Sequence, residues 1–279
     1  MRFLILLTVV QIFLTSNSRA DQDLPTDYRH QTLTVDHPLV LEYRFGPGAR
    51  NVATLNIVNY PGMESDLFYF HMHINERAAK LAGEQRVQEK GGTFMYLHHY
   101  SGQRNMRVIV NGTPYKFDPN RIFTDKGLQT SLEPKPNRAD LDEFRKFVVW
   151  VKRNILLALQ NRRRPMVTAL HNNTDDDTHG RLLSILTEKD LLQIDNQLVN
   201  QNTGWDIDDF FIATWPTTYQ SLVDGHNPNI SLRLAQPRNI GYLSNWMIEE
   251  GIEYLNIESE TDQLPRALRM LDIVQATFQ

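Results

Sequence analysis

Residues 68–97 read FYFHMHINERAAKLAGEQRVQEKGGTFMYL. An apolar run at 68–70 is followed by a segment rich in Ala, Leu, Glu and Lys, which Gly91-Gly92 ends, and then by a second apolar run at 93–97. These features predict a strand, a helix over 76–90 and another strand. A strand–helix–strand unit of this kind is typical of an α/β fold.

The same alternation continues on both sides of this stretch. Asn111-Gly112 is a strong hairpin signal between strands at 107–110 and 115–117, and residues 140–160 have the apolar spacing of a long amphipathic helix. Further strands are predicted at 39–43, 166–170, 210–213, 230–234 and 254–257, and further helices at 219–223, 242–250 and 264–276. The sequence therefore predicts an α/β fold with a mixed, largely parallel central sheet and helices on both faces. Ligands of such sheets bind at the carboxyl ends of the strands.

The amino-terminal segment has the features of a signal peptide. Arg2 precedes an apolar core at 3–14, and Ser18-Arg19-Ala20 offers small residues for a signal peptidase. The apolar core is short for a membrane span, although an uncleaved anchor is the alternative. We therefore expect a signal peptide over 1–20, a single α/β domain over 21–279, a secreted or periplasmic location, and no stable membrane insertion after cleavage.

Composition excludes several classes of function. The net charge is −4 and no long basic stripe is interleaved with aromatic residues, so we expect no nucleic-acid partner. Arg162-Arg163-Arg164 falls at the end of a predicted helix, where cations suit the helix dipole. The absence of cysteine excludes disulfides, thiolate catalysis and cysteine-based metal sites.

Two histidines and a carboxylate are the candidate metal ligands. His73-x-x-Glu76 follows the strand at 68–70, and this spacing brings an imidazole and a carboxylate to the same side of a turn. The alternatives are a His71-x-His73 pair, or a carboxylate that interacts only with the helix dipole. His171 ends the apolar strand at 166–170 and could also be a structural hydrogen-bonding residue. Together the three side chains would leave one position of a tetrahedral zinc open for water.

Other residues near His171 are weaker candidates. His179 is a less favoured ligand than His171. The acidic residues at 175–177 lack the spaced oxygens and the distal Glu of a calcium loop.

Two further segments carry polar residues next to predicted strands. Asn120 and Arg121 lie between buried aromatic residues, and the planar guanidinium of Arg121 suits a carboxylate, although a structural pair with Asp118 is the alternative. Glu258 ends the strand at 254–257, where partial burial would suit proton transfer. Glu260 competes for that function, and an exposed acidic loop is the other interpretation.

This ordered set of motifs resembles the zinc carboxypeptidase superfamily, in particular its succinylglutamate desuccinylase and aspartoacylase-like branch. Residues 118–123, Asp-Pro-Asn-Arg-Ile-Phe, are similar to the Asp-Leu-Asn-Arg-x-Phe signature of that branch. Leu170-His171-Asn172 is similar to its Asp-Leu-His-Asn-Thr. The chain departs from the pattern at Ile74, where the group usually has Gly, and at Ala169, where it has Asp.

The resemblance implies a function for each candidate residue. His73, Glu76 and His171 would bind one zinc ion, Asn120 and Arg121 would hold a substrate carboxylate, and Glu258 would be the general base and acid. Arg107 and Arg104 are the candidates for the arginine that stabilises the oxyanion.

We therefore expect an exported zinc-dependent hydrolase that cleaves an amide or peptide bond in a carboxylate-bearing substrate. That substrate would be a peptide or an N-acyl amino acid, and cell-wall peptides are among the candidates. The alternative is a non-catalytic protein that binds a carboxylated ligand on the same scaffold.

Overall fold

The computed structural model describes residues 38–48, 51–60, 66–160, 162–173, 199–200, 202, 204–206, 208–234 and 241–279. The expected signal peptide over 1–20, the start of the expected domain at 21 and the weaker candidate His179 lie outside these residues. No helix of the described ranges is both long and apolar enough to cross a membrane.

A nine-stranded sheet and a separate hairpin organise the described residues. The strands of the sheet are β1 (Leu39–Arg44), β2 (Val52–Asn59), β3 (Phe68–His71), β4 (Thr93–His99), β7 (Met166–Asn173), β8 (Val199–Asn200), β9 (Phe210–Ala213), β10 (Ile230–Leu232) and β11 (Glu253–Glu260). The hairpin consists of β5 (Met106–Val110) and β6 (Thr113–Phe117). The helices are α1 (Arg77–Lys90), α2 (Asp125–Ser131), α3 (Arg138–Leu159), α4 (Pro216–His226), α5 (Leu243–Glu249) and α6 (Leu264–Phe278).

The predicted α/β fold with a mixed, largely parallel sheet is confirmed. The strand order is β1-β2-β4-β3-β7-β11-β9-β10-β8. The four central strands β4, β3, β7 and β11 are parallel, as are β9 and β10. The other neighbouring pairs, most of them towards the two edges, are antiparallel.

Helices cover both faces of the sheet, as predicted. Alternate residues of β3 point to opposite faces, so Phe68 and Phe70 join one core while Tyr69 joins the other. The first core includes the apolar side of α3 and residues of α5. The second includes residues of α1, α4 and α6.

β7 and β11 extend further than predicted, and the added residues include His171 and Glu258. The parallel pairing of β7 with β11 continues to the pair Asn173 and Glu260, beyond the apolar cores of both strands. His171 and Glu258 therefore lie within strands, not in the loops after them, and they are direct neighbours across the ladder.

Candidate active site

His73 and Glu76 are brought together by the turn between β3 and α1. The backbone N–H of Glu76 donates to the His73 carbonyl at 2.9 Å, and Glu76 is the residue from which α1 begins. Both side chains are buried, and His73 Nδ1 lies 2.9 Å from Glu76 Oε1.

His171 completes a three-residue cluster from the other side. Its Nδ1 lies 3.1 Å from Glu76 Oε2 and 3.2 Å from His73 Nδ1. One ligand atom from each of the three residues lies within 4.8 Å of the others, so the group could hold a metal ion. Two imidazole Nδ1 atoms this close cannot both present lone pairs to each other, and a cation between them and the carboxylate would satisfy all three. The set of two nitrogens and one carboxylate fits zinc.

Asp118 holds the His73 ring. Its Oδ1 accepts a hydrogen bond from His73 Nε2 at 2.9 Å, which leaves Nδ1 directed at Glu76. Burial lowers the pKa of His73, but Glu76 and Asp118 outweigh it and raise that pKa to about 9. Burial likewise opposes ionisation of Asp118, yet the His73 interaction and Arg104 lower its pKa to about 2.

Electrostatics keep the buried Glu76 carboxylate ionised. Burial alone would raise the pKa of Glu76, but the nearby His73 and His171 hold it well below its usual range. A carboxylate that stays charged in a buried position is available to bind a cation.

The alternative pairing of His71 with His73 does not form. His71 Nδ1 contacts the Leu170 carbonyl at 3.0 Å, and burial lowers the pKa of His71 to about 4. His71 is not part of the cluster that could hold a metal.

A cavity of about 190 Å³ adjoins the cluster, and Glu258 lies in its wall. Asn256 Nδ2 donates to Glu258 Oε1 at 2.9 Å, which fixes the carboxylate. Burial raises the pKa of Glu258 against the opposing effect of His171. Glu260 instead pairs with Arg266 of α6 and is not among the residues that line the cavity.

Arg121 and Asn120 also line the cavity, on a short 3₁₀ turn after β6. The guanidinium carbon of Arg121 lies 4.3 Å from the centre of the Tyr242 ring. Asn120 Oδ1 accepts from the Leu243 backbone N–H at 3.1 Å, so its amide group remains as a donor. The alternative pair of Arg121 with Asp118 does not form, because Asp118 interacts with His73 and Arg104.

Two glycines allow the Arg121 turn to pack closely against the segment that carries Tyr242. A Cβ at Gly127 would lie 2.3 Å from the Gly241 Cα, and one at Gly241 would lie 2.2 Å from the Arg121 carbonyl oxygen. The Phe123 N–H also donates to the Gly241 carbonyl at 2.9 Å. We call this contact of Arg121, Gly127 and Gly241 the glycine junction.

The structure distinguishes the two candidate oxyanion arginines. Arg104 Nη1 lies 2.6 Å from Glu76 Oε1, and Arg104 lines the cavity. Arg107 is exposed on β5, opposite Lys116, and does not line the cavity. Arg104, and not Arg107, therefore lies at the cavity, because alternation along β5 turns Arg107 towards solvent.

Several cavity residues are absent from the set derived from sequence. Tyr254 and Asn256 share the face of β11 that carries Glu258, so the period of two residues in a strand could have identified them. Arg233 and Tyr242 come from segments that are remote from the motifs, and no local pattern marks them. Ala169, which stands in place of the expected Asp, is buried in the core, and His171 Nε2 has no hydrogen-bond partner among the described residues.

No protein-family model matches the sequence, and no curated protein matches it significantly. Similar solved structures include an aspartoacylase family protein from Mesorhizobium loti, which has 11% identity and a TM-score of 0.46 over 91% of this chain and 71% of that chain. Murein-tripeptide amidase MpaA from Escherichia coli O157 has 8% identity and a TM-score of 0.39 over 94% and 97% of the two chains. A metallo-carboxypeptidase from Burkholderia cenocepacia has 9% identity and a TM-score of 0.41 over 85% and 65%.

At these identities the similarity concerns the fold alone.

Proposed function

We propose that this protein is an exported, zinc-dependent hydrolase that cleaves an amide or peptide bond in a carboxylate-bearing substrate. One observation supports this most directly. The buried ligand atoms of His73, Glu76 and His171 converge within 4.8 Å, and Glu76, His171 and Glu258 line the same cavity.

The three side chains of the cluster would hold the metal. Bound there, zinc would supply a Lewis acid that lowers the pKa of water and polarises a carbonyl oxygen. Asp118 would keep the His73 ring in the orientation that presents Nδ1, as its 2.9 Å contact with Nε2 suggests.

Glu258 would carry the proton. Its carboxylate would take a proton from the attacking water and return it to the nitrogen of the leaving amine. A pKa raised by burial suits a group that must accept and release a proton near neutral pH. Arg104, beside Glu76, would stabilise negative charge that develops on the carbonyl oxygen.

Arg121 and Asn120 would bind the substrate carboxylate. The guanidinium of Arg121 offers two parallel donors, and the described residues provide no carboxylate partner for it. The amide of Asn120 adds a donor on the same turn. The substrate would be a peptide or an N-acyl amino acid, and the expected export over residues 1–20 makes cell-wall peptides a reasonable choice.

The decisive experiment combines metal analysis with hydrolysis assays. Purified protein is analysed for zinc and then assayed with a panel of N-acyl amino acids, dipeptides and muropeptides. Glu258→Gln is expected to retain zinc and to lower kcat by about 10²- to 10⁴-fold, the usual contribution of a general base or acid.

Glu260→Gln is the matched control, because it removes a neighbouring carboxylate that does not line the cavity. Zinc binding without turnover that depends on Glu258 would contradict the proposal and would favour a carboxylate-binding protein instead. Absence of both zinc and turnover would contradict the proposed function and would leave only the statement about the fold.

A further inference from the structure

Asn172 follows His171 in β7, and the proposed chemistry does not use its side chain. Neighbouring residues of a strand point to opposite faces of the sheet, so Asn172 shares the face of Leu170, whereas His171 points to the other face. Leu170 belongs to the core that includes residues of α1. Only 8% of Asn172 is exposed. Its amide is therefore buried on the α1 side of the sheet.

The Asn172 amide caps α1, although the two are 93 residues apart in sequence. Asn172 Oδ1 accepts from the Ala79 backbone N–H at 3.0 Å. Ala79 is the third residue of α1, and the N–H groups at the start of a helix lack partners within the helix. Glu76, from which α1 begins, provides no side-chain cap, because its carboxylate belongs to the candidate metal cluster. Asn172 supplies the acceptor that Glu76 does not.

The same amide also binds β11. Asn172 Nδ2 donates to Ser259 Oγ at 2.8 Å and lies 3.3 Å from the Ser259 carbonyl oxygen. Ser259 is 1% exposed, pairs with Asn172 across the ladder and directly follows Glu258. The amide oxygen and the amide nitrogen are thus both in use, on two different elements.

One buried side chain therefore connects the three elements that carry Glu76, His171 and Glu258. Without it, the Ala79 N–H and the Ser259 hydroxyl would lose a buried partner, which is costly unless the elements shift. A metal site tolerates shifts of only about 0.2 Å in its ligand distances. The spacing of Glu76 and His171 is consequently sensitive to this amide.

We propose that Asn172 is a positioning residue for the metal site, because it holds the start of α1 and the end of β11 against β7. This inference rests on the proposed function for the identity of the metal. Asn172 does not line the cavity and acts only through the placement of Glu76 and His171.

The test measures the zinc affinity of metal-free protein by competition with a chelator of known affinity, a readout that needs no turnover. Asn172→Leu keeps the approximate volume but has no hydrogen-bonding group, and it should weaken zinc binding by about 10- to 100-fold. Asn172→Asp keeps an acceptor for the Ala79 N–H and suits a helix N-terminus, so its affinity should stay within about threefold of the wild type. Equal affinities of the Leu variant and the wild type would overturn the inference, as would a loss in the Asp variant equal to that in the Leu variant.

Asn229→Leu is the matched control for loss of a buried, hydrogen-bonded asparagine. Asn229 is 1% exposed, accepts from the Asn202 N–H at 2.8 Å, and donates to the Asp206 and Asp209 carbonyls at 2.7 and 3.2 Å. Its loss should lower the urea midpoint of unfolding but leave the zinc affinity of the folded protein unchanged. An equal loss of zinc affinity in the Asn229 and Asn172 variants would show that Asn172 has only a general structural role.

Ser259→Ala covers the case in which the Leu variant does not fold. It removes one hydrogen bond of the Asn172 amide and leaves the Ala79 contact, so zinc binding should weaken by about 3- to 10-fold. An unchanged zinc affinity in this variant would also overturn the inference. Wild-type protein that binds zinc but hydrolyses no substrate would refute the proposed function and leave this result unaffected, whereas wild-type protein that binds no zinc would overturn both.

Discussion

At the scale of single residues, Asp118 is the side chain on which the orientation of His73 depends. It accepts from His73 Nε2 at 2.9 Å and from the Asn120 backbone N–H at 2.8 Å. It therefore connects the candidate metal ligand to the turn that carries Asn120 and Arg121.

Asp118→Ala should weaken zinc binding by about 10- to 100-fold, the usual effect of removing the partner of a metal-binding histidine. The affinity is measured by competition with a chelator of known zinc affinity. Asp142→Ala is the control, because Asp142 forms an exposed pair with Arg145 on α3. Equal zinc affinity in the Asp118 variant and the wild type would show that the contact does not support the metal site.

Asp209, which lies outside the cluster of His73, Glu76 and His171, is expected to make the stability of the protein depend on pH. Burial raises its pKa to about 6, and Arg266, Asp206 and Glu260 are the charged groups around it. Because the unfolded pKa is about 3.9, the folded state binds this proton more tightly, and its stability falls as pH rises from about 4 to 6.

Asp209→Asn should therefore stabilise the protein more at pH 7 than at pH 4, relative to the wild type. The free energy of unfolding is measured with urea at both pH values. A stability difference between variant and wild type that does not change with pH would contradict this assignment.

The sequence predicted the candidate ligands because each one is next to a recognisable strand or helix boundary. His73, His171 and Glu258 all follow apolar runs, and the structure brings them to one cavity region as three neighbouring parallel strands require. Arg233 and the Asp118–His73 contact could not be predicted, because they depend on contacts between remote segments. The functions of all these residues remain predictions.

At the scale of elements, the glycine junction aligns the Arg121 turn with the start of α5. Gly127 lies in α2, and its lack of a side chain lets α2 approach Gly241. The stacked rings of Phe123 and Trp246, 5.7 Å apart, support the same contact.

Gly127→Ala should destabilise the protein by about 1–3 kcal/mol, because the added methyl overpacks a backbone contact. It should also raise KM, since Arg121 must shift. Gly225→Ala is the control, because nothing lies within 4 Å of the added carbon and Ala favours a helix. Unchanged stability and unchanged KM in the Gly127 variant would argue against the close contact.

The bounds of most helices and strands agree with those predicted from the sequence within a few residues, but two elements were not predicted. The hairpin β5–β6 forms at Asn111-Gly112, where both residues have positive φ angles. β2 was not predicted, although Ala53 and Leu55 alternate with Thr54 and Asn56 as a strand requires. α2 was also not predicted, although Thr124 caps it at Gly127 and Asp125 lies in its first turn.

At the scale of the whole molecule, the candidate ligands join parts of the chain that are remote in sequence. His73 and His171 are separated by 98 residues. His73 follows β3, and His171 lies within the neighbouring strand β7. A metal bound there would link the β3–α1 turn to β7.

Zinc should therefore raise the midpoint of thermal unfolding of metal-free protein. At a free concentration of 100 times Kd the stabilisation is about 2.7 kcal/mol. Scanning calorimetry with and without zinc measures the shift, and a chelator should reverse it. His171→Ala should remove the shift, whereas His226→Ala on α4 should retain it. A shift that persists in the His171 variant would place the bound zinc elsewhere.

The sequence predicted the class of the fold but not its full topology. Alternation of strands and helices predicted the parallel centre, because helical crossovers join parallel strands. β9 lies beside β11 and runs antiparallel to it. This arrangement depends on the side of the sheet to which the chain returns, and no local sequence pattern encodes that choice.

The direct pairing of Glu258 with His171 has a practical consequence for protein engineering. Neighbouring strands are held about 4.8 Å apart by their ladder, so these two backbone positions keep their spacing whatever joins the strands. A designer could exchange surface connections while these two candidate site residues stay in place. Inserting one residue inside either strand would turn one partner to the opposite side of the sheet and separate them.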